Sequence, residues 1–94
     1  MVLVSEGEAA LVLCETFRGQ PFDTGAEKGT VDEVDFYEPP QLGQPLQLHW
    51  RINTGTERLW IRASYMTAEW DDLRRWCAEH YGVNPLQVRF WLEV

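Results

Sequence analysis

A chain of 94 residues, 45% apolar, 24% charged and 13% aromatic, has room for one hydrophobic core and no second domain. Its formal charge of −7, from 15 acids against 8 bases, argues against non-specific binding to nucleic acid or to an anionic membrane surface. Charged residues break every apolar run well short of the ~20 residues a membrane span needs. The segment MVLVSEGEAALVLC has no basic start and is interrupted by Glu6 and Glu8, so it does not read as a secretory signal.

Charge divides this single domain, residues 1–94, into two halves. Residues 1–43 carry nine acids against Arg18 and Lys28, and residues 44–94 balance six acids with six arginines. The whole net charge therefore lies in the first half. Cys14 and Cys77 are too few and too far apart in sequence for a disulfide framework or a C-x-x-C motif. They are expected to be reduced thiols in a cytoplasmic protein. Seven arginines against one lysine is the usage of a GC-rich, bacterial or phage, genome. No internal repeat and no low-complexity tract is evident.

In chain order, residues 9–17 (AALVLCETF) predict a first strand with Leu11, Leu13 and Phe17 on one face. Residues 18–29 hold three glycines and a proline and predict a loop. Residues 30–38 (TVDEVDFYE) predict a weaker strand ended by Pro39-Pro40. The alternation then sharpens: Leu46, Leu48, Trp50 and Ile52 share a face, as do Leu59, Ile61, Ala63 and Tyr65. A turn centred on Thr54-Gly55 sets Trp50 opposite Leu59, Leu48 opposite Ile61 and Leu46 opposite Ala63. Thr67 reads as the N-cap of a helix from Ala68 to about Tyr81. Its stripe of Trp70, Leu73, Trp76, Cys77, His80 and Tyr81 is expected to be buried. Gly82 and Pro85 follow as stop signals, and LQVRFWLEV predicts a last strand with Leu86, Val88, Phe90, Leu92 and Val94 inward.

The order of QLHWRINTGTERLWIRASY, MTAEWDDLRRWCAEHYGVNP and LQVRFWLEV resembles the hairpin, helix and strand of ubiquitin-like and Phox-and-Bem-type β-grasp domains, over residues 44–94. The resemblance implies an α+β fold in which one helix packs on a mostly antiparallel four- to five-stranded sheet, with N-terminal strands completing it. The final Trp-Leu-Glu-Val is not the Gly-Gly of a modifier or sulfur carrier, so activation of a terminal glycine is not expected.

No catalytic constellation is expected, and neither a cofactor nor a metal. There is no phosphate loop, H-E-x-x-H or G-x-S-x-G. Cys77 and His80 stand three apart on one helical face, and Cys14 and His49 could complete a metal or nucleophile site, but packing is the expected role of these residues. Asp71-Asp72 beside Arg74-Arg75 reads as a solvated helix face.

The outward positions of the proposed sheet are different. Gln47, His49 and Arg51, then Arg58, Trp60, Arg62 and Ser64, then Gln87, Arg89, Trp91 and Glu93 alternate with the core. The proposed register sets His49 opposite Trp60 and Arg51 opposite Arg58, a like-charge pair. His49, Arg51, Trp60, Arg62, Arg89 and Trp91 are the candidate partner-binding residues, since Trp and Arg are enriched at binding hot spots. The competing expectation is that residues 9–38 of the same chain fold over this face. Asp32, Glu33, Asp35 and Glu38 are candidate acidic contacts for a basic partner; as in Phox-and-Bem-type domains, Asp32, Glu33 and Asp35 are candidates to meet Arg51 and Arg62 of a second copy. The expected function is a small non-enzymatic protein–protein interaction module, an adaptor or an inhibitor acting by surface occlusion. A single-stranded nucleic-acid binder using Trp60 and Trp91 with Arg51, Arg62 and Arg89, and a small metal-binding protein or enzyme using Cys77, His80 and His49, are the alternatives.

Overall fold

The computed structural model describes residues 1–41, 43–62 and 68–91. In order these form β1 (Val2–Ser5), α1 (Glu6–Phe17), β2 (Pro21–Asp23), β3 (Lys28–Phe36), β4 (Leu48–Asn53), β5 (Arg58–Ile61), α2 (Trp70–Tyr81), a 3-10 turn (Pro85–Gln87) and β6 (Val88–Trp91). Strands β2, β3, β4 and β5 make an antiparallel sheet in that order. β1 and β6 pair in parallel as a separate ladder, Val2 opposite Val88 and Val4 opposite Phe90. The architecture is α+β. No helix among the described residues is long and apolar enough to cross a membrane.

The described residues hold two helices rather than the one expected, and the predicted strand at residues 9–17 is part of α1. Ser5 caps this helix by accepting a hydrogen bond from the Glu8 amide at 3.2 Å, and Glu6 and Glu8 sit in the first turn, where the helix dipole favours acids. Ala9, Val12, Leu13, Cys14 and Phe17 form its buried face, while Leu11 is exposed. This is helical spacing, which a strand reading splits between two faces.

The expected loop at residues 18–29 contains β2 and its turn. That turn has a twin. Asp23-Thr24-Gly25-Ala26-Glu27-Lys28 and Asn53-Thr54-Gly55-Thr56-Glu57-Arg58 share one pattern, so the chain does carry a short internal repeat. In each, the Asp23 or Asn53 side chain accepts from the glycine amide at 2.8 Å, and the threonine amide donates to the glutamate carbonyl at 3.0 Å. Gly25 and Gly55 take φ of 87° and 94°, which a side chain would resist.

The loop is four residues long, not two, so Asn53 faces Arg58, Arg51 faces Trp60 and Trp50 faces Ile61. The expected register is corrected by two positions. An even shift preserves the faces, but it removes the Arg51–Arg58 pair. Leu46 bridges Ala68; its expected partner Ala63, along with Ser64, Tyr65, Thr67, Leu92, Glu93 and Val94, lies outside the described residues. A bulge between Val31 and Glu33 lets both Val31 and Val34 point into the core.

α2 begins at Trp70 rather than Ala68. Glu69 is its N-cap, and the Glu69 amide donates to Asp72 Oδ2 at 2.9 Å in a capping box. Trp70, Leu73 and Cys77 are buried as expected, but His80 is exposed. Leu86, expected inward, sits in the 3-10 turn and is exposed.

One core joins both helices, the four-stranded sheet and the parallel ladder. Val31, Val34, Leu48, Trp50 and Ile52 of the sheet, Val12, Leu13 and Phe17 of α1, Leu73 and Cys77 of α2, and Val4 and Val88 of the parallel ladder belong to it. Phe17 stands edge-on to both Trp50 and Trp76, with ring centroids 5.3 Å and 5.1 Å apart. α1 therefore covers the inner face of the sheet and not the outer Arg/Trp face.

Candidate outer-face binding site

The outer face is built by alternation. With Val34, Leu48, Trp50 and Ile52 committed to the core, the intervening residues of β3 and β4 turn outward. A row of rings crosses the sheet there: Tyr37 stands edge-on to His49 at 5.4 Å, and His49 leans on Trp60 at 4.6 Å. Arg62 lies over the Tyr37 ring at 4.1 Å, and Arg51 reaches Trp60 at 5.9 Å. Trp60 remains 46% exposed and Tyr37 44%.

The acidic candidates flank this row. Glu33 faces Arg51 in register and approaches its guanidinium at 3.6 Å. Asp32 reaches Arg58 at 3.3 Å, and Glu38 reaches Arg62 at 4.0 Å. Asp35 faces His49, with one carboxylate oxygen accepting from the Phe36 amide at 2.7 Å. Of the groups offered as contacts between two copies, Glu33 and Arg51 meet within one chain, whereas Asp32 pairs with Arg58 and Arg62 with Glu38. The Glu33–Arg51 and Glu38–Arg62 pairs are solvent-accessible and individually weak, whereas Asp32 Oδ2 is buried against Arg58.

His49, Arg51, Trp60 and Arg62 come together; Arg89 and Trp91 do not join them. Those two lie on β6, whose only strand partner among the described residues is β1. Arg89 donates to the carbonyls of Leu86 and Val88 at 3.0 and 3.1 Å, and Trp91 is exposed beside Ser5 and Glu6. Tyr37 belongs to the site and was not among its candidates. The bulge hides Tyr37, because uninterrupted alternation from Val31 would place it on the core side.

The Cys/His residues are dispersed. His49 is on the outer face, whereas Cys14 and Cys77 are buried in the core. His80 Nδ1 is 2.9 Å from Glu15 of α1. Among the described residues no three His, Cys, Asp or Glu side chains group as metal ligands. Burial, with a smaller contribution from the Glu8 charge, pushes the Cys77 thiol up to about 11, the opposite of what a nucleophile needs.

No protein-family model, curated protein or solved structure matches the chain.

Proposed function

We propose that this chain is a small non-enzymatic protein–protein interaction module, an adaptor or an inhibitor that works by covering a partner's surface. The observation that carries this reading is the exposed Tyr37–His49–Trp60 row, banked by Arg51 and Arg62, on the sheet face opposite α1. Rigid aromatic rings with arginines beside them supply contact area at low entropic cost. Single-stranded nucleic acid is the weaker reading. Arg51, Arg58 and Arg62 each stand beside a carboxylate, which would repel phosphate, and Trp91 is not on the same sheet.

The test begins with capture of a partner from the native host, using the whole chain as bait. Trp60→Ala and Arg62→Glu should each weaken binding by about 1–4 kcal/mol with the melting temperature unchanged. The Arg62→Glu deficit should shrink as salt rises, and the Trp60→Ala deficit should not. Lower melting temperatures with unchanged affinity would overturn the assignment.

A further inference from the structure

β5 is the last strand of its sheet, and β4 is its only strand neighbour among the described residues. Alternate residues of a strand turn their amides and carbonyls to opposite sides, so half of β5's backbone groups point away from β4. The side chains tell the same story. Leu59 and Ile61 face inward yet are only half-buried, whereas Leu48, Trp50 and Ile52 of the adjacent strand are buried.

The charge pattern indicates what would fit there. β3 alternates outward acids (Glu33, Asp35) with inward apolar residues (Val34, Phe36), and it pairs with the basic strand β4 so that Glu33 meets Arg51 and Asp35 meets His49. Asp32 and Glu38 reach farther, across β4, to Arg58 and Arg62. The hairpin β4–β5 therefore already holds an acidic, alternating strand on one side. On its other side it presents Arg58, Trp60 and Arg62 along an edge with no further strand among the described residues.

We infer that the β5 edge is completed by an extended segment of a partner protein in which acidic and apolar side chains alternate. The inference rests on the outer face being a protein-binding surface, and it specifies the partner's chemistry. Main-chain hydrogen bonds to the edge hold the added strand. Its outward acids reach Arg58 and Arg62 from the adjacent position, closer than β3 does from two strands away. Its inward apolar side chains cover Leu59 and Ile61. Exchange of the Arg62–Glu38 pair costs little, because both side chains are exposed; Arg58 keeps Asp32, whose Oδ2 is buried, and meets the added acid as a second partner.

The probe is a synthetic peptide with the sequence of residues 31–38, VDEVDFYE, titrated against the full chain with amide hydrogen exchange read in parallel. Binding that weakens with salt and protects β5 amides is expected. The double variant Arg58→Glu/Arg62→Glu should lose about tenfold in affinity, close to 1.4 kcal/mol, and should prefer the same peptide with every acid replaced by lysine. A peptide N-methylated at alternate residues should not bind, and this comparison needs no variant protein. Three results would each overturn the inference: no binding, equal binding of the N-methylated or composition-matched DDEEVVFY peptide, or β5 protection that grows with protein concentration alone and so reports a second copy. A captured partner still sensitive to Trp60→Ala would in those cases leave the general binding reading standing. Loss of that sensitivity as well would remove both.

Discussion

Cys14 and Cys77 are both buried and free, yet they have different duties. Cys14, on α1, donates its thiol to the Val34 carbonyl at 3.0 Å and accepts from the Val34 amide at 3.3 Å. A side chain thus stands where β3 has run beyond the reach of β2. Cys14→Ala should leave both backbone groups buried and unpaired, at about 1–3 kcal/mol, measured by urea unfolding. Cys77 touches the pH axis instead. Its folded thiol keeps the proton up to about 11, against an ordinary 9.0, so between those values the unfolded chain binds fewer protons. Stability is full below about 9 and falls as pH rises toward 11. Tyr81, also pushed up by burial and by Glu8, adds to the loss in the same direction. Cys77→Ala should flatten this alkaline slope while lowering stability at neutral pH through the cavity it leaves. Urea melts at about pH 8 and about pH 10.5 separate the two effects.

The twin loops make a matched experiment at the level of elements. Gly25→Ala and Gly55→Ala each force a side chain into positive φ, and each should cost about 1–2 kcal/mol by thermal melting. Unequal costs would mean that the common hydrogen-bond pattern does not govern both turns. The loops also show what could be read from residues alone. The hairpin β4–β5 and helix α2 were legible because period two and period 3.6 are clean there. The hairpin's register was not, because a two-residue turn was assumed where Asn53, Thr54 and Glu57 close a longer loop through their own hydrogen bonds. The same six-residue pattern at Asp23–Lys28 was the available signal for β2. For α1 the signal was Ser5 followed three residues later by Glu8, a helix-start signature; the apolar run AALVLC, which suits a two-sided strand equally well, obscured it. The aromatic row was half legible: Trp60 and His49 followed from alternation, while Tyr37 depended on a bulge that no local residue announces.

On the scale of the molecule, the acidic and neutral halves are not separate modules, since β3 of the first half pairs along β4 of the second. The parallel ladder binds them again, joining residues 2–5 to residues 88–91. Removing residues 88–94 should strip Val4 of cover and delete Val88, both fully buried, at about 3–6 kcal/mol; circular dichroism melts of the shortened and full chains measure the difference. The ladder also imposes a schedule on synthesis. The residues from Leu3 to Val88 take about 4–17 s to translate at roughly 5–20 residues per second. Throughout that interval β1 has been made and its partner has not. The twin hairpins, whose contacts are local, can close while the ribosome is still working. Val2 and Val4 must wait, apolar and unpaired, so that of the described strands the one made before the others is the last to be secured.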